Sequence, residues 1–146
     1  DNPTEDYKSN YIDSPNTPLY PFGHGLSYTT FEYSEIKLSN NKVRESEILK
    51  VSSIITNTGE YDGHEVVQLY IHDKVASITR PVKELKDFKK IFLRKGESKT
   101  VTFEINSDDL KFYNNGKLMI ESGEFEIAIS GTSDFEFNKT FNLTLN

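Results

Sequence analysis

The strongest constraint on the fold is a short-range alternation of apolar and polar residues that recurs along the chain. It is clearest over residues 67–72, 101–105, 125–130 and 135–145, where apolar side chains occupy every second position almost without a break. Successive side chains of a β-strand point to opposite faces, so this pattern is typical of strands that bury one face. The last run predicts a strand with five core-facing residues: Phe135, Phe137, Phe141, Leu143 and Leu145.

Weaker alternations predict further strands over residues 31–38, 49–56 and 88–93. In the second of these, Ser53 takes a position where an apolar residue is expected, and Ile54 points to the polar side. A strand with apolar residues on both sides is typical of one that is covered on both faces. We therefore expect residues 49–56 to form such a strand.

Turn-forming residues separate these runs, and Asn-Gly and Asp-Gly pairs are typical turns because they tolerate left-handed backbone. The turn sequences lie at residues 57–59, 61–63, 95–96, 115–116 and 130–131. Asn115-Gly116 lies between two apolar pairs and predicts a small hairpin. Ser107, followed by Asp108 and Asp109, predicts one helical turn with the serine as its cap.

The fold class follows from the spacing of these runs. No segment has helical periodicity over ten residues, and the strands recur at intervals near ten residues. This pattern predicts an all-β fold, an immunoglobulin or fibronectin type III-like sandwich of about seven antiparallel strands. A length of 146 residues suits one such domain.

The first thirty residues differ from the rest, and we call them the lead-in. They hold Pro3, Pro15, Pro18 and Pro21, which are four of the five prolines in the chain. They are also rich in tyrosine and phenylalanine, whereas disordered segments are usually poor in aromatic residues. We predict that residues 1–30 form an extended linker or strap and that residues 31–146 form the sandwich.

Charge and composition disfavour several classes of protein. Seventeen basic and 23 acidic residues give a net charge of −6, which disfavours binding to nucleic acid phosphates. No apolar run approaches the roughly 18 residues that a membrane span needs, and the chain has no cysteine for disulfides or thiolate metal sites. Because it begins at Asp1 without a leader, we expect a mature protein or a piece of a longer one.

Five ordered blocks of sequence carry a family resemblance. They are PLYPFGHGLSYTTF at 18–31, TNTG at 56–59, GHEVVQLYIHDKVASITRPVKELKDF at 63–88, GES at 96–98 and GEF at 123–125. Together they resemble the C-terminal fibronectin type III-like domain of family 3 glycoside hydrolases, the β-glucosidase and β-xylosidase family. The resemblance implies a non-catalytic accessory domain whose parent enzyme hydrolyses β-glycosidic bonds, and a periplasmic or secreted location.

The resemblance also implies that no catalytic residue lies in this chain. A retaining glycosidase needs two carboxyl groups about 5–5.5 Å apart, and the family carries its nucleophilic aspartate, in a Ser-Asp-Trp motif, on a different domain. Ser133-Asp134-Phe135 is similar to that motif, but it lies between two predicted strands. We interpret Asp134 as an ordinary turn residue, and we expect this chain alone not to be an enzyme.

No cofactor or metal is expected. His24, His64 and His72 lack the close spacing of a metal site, and no glycine-rich loop precedes a helix. Two glycosylation acceptor patterns, at 138–140 and 142–144, both fall in a predicted strand. A basic stretch predicts a solvated face or a docking surface for an acidic neighbour domain, with polyanion binding as the alternative; it comprises Arg80, Lys83, Lys86, Lys89, Lys90, Arg94 and Lys95.

The aromatic lead-in is the candidate binding element. We expect it to dock against the catalytic domains of the same polypeptide through Tyr20, Phe22, His24, Leu26 and Tyr28. Two other partners remain open for the same side chains, since they could stack on sugars, as in a carbohydrate-binding module, or pack on the chain's own sandwich. A free-standing secreted interaction or adhesion domain is a third class of function.

Overall fold

The computed structural model describes residues 29–74 and 82–145. Within these ranges the chain forms eleven strands and one turn of 3₁₀ helix at Ser107–Leu110. The strands are β1 (Phe31–Tyr33), β2 (Lys37–Leu38), β3 (Lys42–Arg44), β4 (Leu49–Asn57), β5 (Gly63–Asp73), β6 (Glu84–Leu93), β7 (Ser98–Ile105), β8 (Phe112–Asn114), β9 (Lys117–Met119), β10 (Gly123–Ser130) and β11 (Thr140–Thr144). No helix in the described ranges has the length and apolarity of a membrane span.

Two sheets form the body of the domain. In the four-stranded sheet, β4 is central and pairs with β1 and β2 on one side and with β7 on the other. The five-stranded sheet has the order β3-β11-β10-β5-β6, and β8 and β9 form a separate hairpin. The predicted all-β sandwich is confirmed. One pair departs from the prediction of antiparallel strands, because β3 runs parallel to β11 and brings Val43 beside Leu143 at the sheet edge.

The inner faces of both sheets meet in one hydrophobic core. The four-stranded sheet contributes Val51, Ile55 and Phe103, while the five-stranded sheet contributes Phe125 and Phe141, whose rings stack 5.4 Å apart. Each of these side chains is almost fully buried. Burial of such a side chain stabilises a fold by roughly 1.5–3 kcal/mol, so the alternation seen in the sequence supplies the main driving force.

The sequence suggested that strand β4 is covered on both faces, but only one face is buried. Its buried residues alternate with exposed or half-buried ones, and Ile54 lies on the exposed side. Ser53 lies on the buried side, where its hydroxyl donates a hydrogen bond to the Ser34 carbonyl at 2.9 Å. The prediction was wrong because a serine that finds such an acceptor can occupy a core position without loss of the alternation.

The last strand is also shorter than predicted, since β11 begins at Thr140. Phe135 and Phe137 precede it and contact each other at a ring distance of 5.1 Å. Phe135 packs 4.9 Å from the ring of Tyr70, which lies on the outer face of β5 opposite the core-facing Leu69. The two phenylalanines therefore cover the outside of the sheet, because the outward Tyr70 offers an apolar surface that the alternation in β11 does not reveal.

Two local predictions can be checked directly. The hairpin at Asn115-Gly116 is confirmed, with φ values of 53° and 79° that join β8 to β9. The 3₁₀ turn forms, but its cap is Asn106, whose side chain accepts a hydrogen bond from the Asp108 backbone at 2.9 Å. The Asp109 carboxylate in turn accepts a hydrogen bond from the Asn106 backbone. The capping box therefore begins one residue earlier than Ser107 suggested.

Asn57, the last residue of β4, links the two sheets and the start of the described chain. Its side-chain amide donates to the carbonyls of Tyr61 at 2.8 Å and Leu93 at 3.0 Å. Its side-chain oxygen accepts from the Thr29 hydroxyl at 2.6 Å and from the Gly59 backbone at 3.0 Å. The side chain is 1% exposed, and all four of its hydrogen-bonding positions are used.

We expect Asn57→Ala to lower the free energy of unfolding by at least about 2 kcal/mol, because several buried polar groups lose their partner. Urea unfolding followed by circular dichroism measures this loss. Asn138→Ala is the matched control; Asn138 is exposed, and its substitution should change stability by less than about 0.5 kcal/mol. Equal, small losses in both variants would show that the Asn57 network does not hold the fold together.

Candidate docking site where the lead-in meets the sandwich

The lead-in meets the sandwich at Thr29 and Thr30, against the turn that follows β4. The Thr30 carbonyl accepts a hydrogen bond from the Thr58 backbone at 2.9 Å, next to the bond from Thr29 to Asn57. A Cβ added to Gly59 would lie 2.0 Å from the Thr29 hydroxyl oxygen, and one added to Gly63 would lie 2.7 Å from the Thr29 methyl carbon. Glycine is therefore required at both positions for this close approach.

A second contact joins β1 to the five-stranded sheet. The Tyr33 hydroxyl donates a hydrogen bond to Glu65 Oε2 at 2.9 Å. Gly131 lies against this pair, since a Cβ there would be 2.4 Å from Glu65 Oε2 and 2.9 Å from the Tyr33 hydroxyl oxygen. Glu65 belongs to β5 and shares the face that Val67 and Leu69 present to the core.

This environment changes the acidity of both groups. Burial raises the pKa of Glu65 to about 7, although the hydrogen bonds from Tyr33 and from the Val66 backbone act in the opposite direction. Burial also raises the pKa of Tyr33 well above its ordinary value, and the neighbouring Glu65 adds to the effect. Near neutral pH, Glu65 is therefore divided between its neutral and ionised forms, and the neutral form suits its site better.

Glu65 is not arranged as a glycosidase acid. Its described side-chain contacts are with a tyrosine hydroxyl and a glycine, whereas that chemistry needs a second carboxyl group across a sugar-sized gap. Ser133-Asp134-Phe135 lies in the exposed loop between β10 and β11. There the Asp134 backbone donates to the Thr132 hydroxyl at 3.1 Å, which is a local turn contact.

The histidines in the described ranges lie on the outer face of β5. His72 Nδ1 lies 2.9 Å from Glu126 Oε1, and the His64 ring lies 4.9 Å from the ring of Phe92. Among the residues that the structure describes, no three histidine, aspartate or glutamate side chains gather as metal ligands would. His24 lies outside the described residues.

The other residues predicted to dock, Tyr20, Phe22, Leu26 and Tyr28, also lie outside the described residues, as does Arg80 of the basic stretch. Their role stays a prediction, and so does the domain boundary after residue 30. The structure does describe the surface next to the point where the lead-in arrives, and an exposed apolar face lies there.

The outer side of β6 exposes large apolar side chains that the sequence analysis did not single out. Leu85, Phe88 and Phe92 are 50%, 61% and 41% exposed. Beside them, His64 of β5 is paired with Phe92, and the exposed Val66 is paired with Lys90. We call this surface, formed by Leu85, Phe88, Lys90 and Phe92 with Val66, the β6 face. An exposed apolar strip of this kind is typical of an interaction site.

The basic stretch around the β6 face is partly engaged within the domain. Lys89 donates to the Thr102 carbonyl, and its ammonium group lies 5.3 Å from the centre of the Phe103 ring. Lys83 donates to the Ser133 carbonyl at 2.9 Å. Lys89 of β6 thus reaches across to the edge strand β7 of the other sheet.

Two functional contacts were missed at the level of sequence, although each had a signal. Asn57 stood in a turn motif, where its conformational tolerance suggested only a local role. Glu65 stood at a core-facing position two residues before Val67, and an acid at such a position is a signal of a buried carboxyl. Neither Tyr33 nor Gly131 could be assigned to Glu65, because both lie more than thirty residues away along the chain.

We expect Glu65→Gln to make unfolding less dependent on pH. The pKa of Glu65 rises from 4.5 to about 7 in the folded protein, so its stabilising effect is complete below pH 4.5 and is lost as the pH rises through 7. Above pH 8 the free energy of unfolding of the variant should therefore exceed that of the wild type by about 3 kcal/mol, and the difference should vanish near pH 4.5. Urea unfolding across this pH range measures it, with Glu104→Gln as an exposed control; a constant difference would contradict the assignment.

Comparison with known proteins places this geometry in a family. A model of the fibronectin type III-like domain matches residues 65–133, from β5 to the loop after β10. A putative beta-xylosidase of Formosa agariphila is 48% identical over 135 residues, which cover 92% of this chain and 18% of that protein. A periplasmic beta-glucosidase of Salmonella typhimurium is 48% identical over 124 residues, which cover 84% of this chain and 16% of that protein.

Solved structures agree with these relatives. A beta-glucosidase of Erythrobacter marinus superposes with a TM-score of 0.75 at 40% identity, covering 93% of this chain and 18% of that one. A Listeria innocua beta-glucosidase in complex with laminaribiose gives 0.71 at 40% identity, covering 99% and 20%. The chain thus spans about a fifth or less of these relatives, which confirms that it is a domain and not a whole glycosidase. It belongs to the fibronectin type III-like domain family, in the form carried by family 3 β-glucosidases and β-xylosidases.

Proposed function

We propose that this chain is the non-catalytic accessory domain of a β-glucosidase-type retaining glycoside hydrolase, and that it braces the catalytic domains of the same polypeptide. The observation that carries the proposal is the junction at Asn57, where one buried side chain binds Thr29, at the end of the lead-in, and Leu93, in the far sheet. Thr29 and Thr30, the last residues of the lead-in, are thereby fixed to the sandwich. The similarity to β-glucosidases and β-xylosidases supports the choice of enzyme class.

The proposed mechanism is mechanical. Tyr20, Phe22, His24, Leu26 and Tyr28 lie in the interface between the sandwich and the catalytic domains, where aromatic burial contributes about 25 cal/mol per Å² of apolar area. The glycines at 59 and 63 and the Asn57 network set where the lead-in leaves the sandwich. Because a displacement of about 1 Å at a catalytic site can cost roughly 100-fold in rate, a rigid remote support can affect catalysis.

The location we propose is periplasmic or secreted. One relative is named a periplasmic beta-glucosidase, which supports this location. A rigid accessory domain with a continuous hydrophobic core suits such a setting.

Tested alone, the 146-residue chain should release no product from nitrophenyl β-glucoside or β-xyloside, because the paired carboxyl groups of a retaining glycosidase are not part of it. Turnover that disappears in Asp134→Asn would overturn this expectation. Calorimetry with cellobiose and xylan should likewise give no heat of binding, whereas a measurable heat that is lost in Tyr20→Ala would favour a carbohydrate-binding module.

In the full polypeptide that contains this chain, Tyr20→Ala combined with Phe22→Ala should lower the melting temperature by several degrees. A loss of about 1 kcal/mol shifts the midpoint of a large domain by roughly 2–4 °C. The ratio of kcat/KM for glucoside and xyloside should stay the same, since the brace does not contact substrate. Tyr113→Ala, on the exposed β8–β9 hairpin, is the matched control; unchanged melting in the double variant would refute bracing.

A further inference from the structure

Among the described residues, the large apolar side chains of the β6 face remain exposed. Leu93 and Ile91 of the same strand point toward the core. Because side chains alternate along a strand, Phe92, Lys90 and Phe88 point away from it. Phe88 is 61% exposed on this face, more than a large apolar residue usually is in a stable domain. Farther along the same sheet, Phe135 covers the equivalent outward position of Tyr70. Within the described residues, the aromatic side chains that cover the outer face of β5 do not extend over Phe88 and Phe92 of β6.

The lead-in arrives at one end of this face. Thr29 contacts Gly63, and Gly63 is paired with Leu93 at the end of β6. The next pair along the strands is His64 with Phe92, which begins the β6 face. Residues that precede Thr29 are therefore tethered within a few residues of Phe92.

The lead-in has the pattern of an extended segment with one apolar side. Tyr20, Phe22, His24, Leu26 and Tyr28 occupy every second position, so an extended backbone places all five on the same side. From residue 20 to residue 28, such a backbone spans about 26 Å at roughly 3.3 Å per residue. This length is close to that of β6, which has ten residues.

The start of the lead-in and the β6 strand carry opposite charges. Residues 1–13 hold four acids against one lysine, a net charge of −3, residues 20–28 hold no acid, lysine or arginine, and residues 82–95 hold six bases against two acids, a net charge of +4. Attraction between unlike charges favours contact between tethered segments, and it weakens as salt rises.

We propose that residues 20–28 of the lead-in seat their aromatic side on the β6 face of the same chain, with Leu26 and Tyr28 near Phe92 and Phe22 near Phe88. The inference builds on the proposed function in one respect: the seated lead-in would form part of the surface that the catalytic domains contact. It does not require those domains, so it can be tested on the 146-residue chain.

The chain has no cysteine, so His24→Cys can carry a single nitroxide spin label. Position 24 is the least apolar of the five, and labelling it leaves the aromatic side chains in place. The backbone amide signals of Val66, Phe88 and Phe92 should lose most of their intensity. The amide signal of Lys50, which is exposed on the outer side of the other sheet, should keep its intensity.

A pair of matched variants decides what causes the effect. Phe88→Glu with Phe92→Glu changes only exposed side chains and should remove the broadening, whereas Tyr113→Glu, at an equally exposed tyrosine, should leave it unchanged. Broadening that is the same on both sheets would overturn the proposal. Broadening of an isotope-labelled chain by a separate spin-labelled chain would also overturn it and would identify a second copy as the occupant. Either result leaves the melting test of bracing unaffected.

Discussion

The structure depends most on a single buried asparagine at the end of β4. Asn57 is a polar residue in the core, and its side chain joins β4 to β6 of the other sheet and to the end of the lead-in. A buried amide is costly unless every donor and acceptor is paired, and here each one is. The same network therefore constrains three parts of the chain at once, and the two glycines at 59 and 63 leave the space that it needs.

The two sheets share a core but differ on their outer sides. The outer face of the five-stranded sheet carries Tyr70 and His72 under the rings of Phe135 and Phe137, and then the bare apolar strip of β6. An uneven outer face of this kind is unusual for a domain that acts alone, because large exposed apolar areas favour association. It is consistent with a domain whose outer surface is meant to be covered.

Glu65 is a titratable group whose role in the sandwich is structural and not catalytic. Its carboxyl lies on the core side of β5, where burial favours the neutral form, and its partner is the Tyr33 hydroxyl of β1. A group of this kind changes the stability of a fold with pH, and a raised pKa alone is not evidence of catalysis. The bond that Glu65 of β5 accepts from Tyr33 of β1 links the protonation of this carboxyl to the contact between the two strands.

Sequence reasoning was most successful where one interaction dominates over a short range. The alternation of apolar residues predicted the core-facing side of β5, β7 and β10, and the Asn115-Gly116 pair predicted its hairpin, because side-chain direction and backbone conformation are local properties. It failed at Phe135 and Phe137. Their spacing matched the core face of β11, but their partners are the outward side chains of Tyr70 and His72, more than sixty residues earlier in the chain.

The amino-acid sequence alone therefore determined the all-β class, the positions of most strands and turns, and the family resemblance, since each depends on local pattern or on ordered motifs. The tertiary structure alone decided the pairing of Asn57 with Leu93, the burial of Glu65 beside Tyr33, and the exposure of Phe88 on an edge strand. These are contacts between residues far apart in the chain. Which side of a sheet is covered depends on where the other strands and loops lie, and no local pattern contains that information.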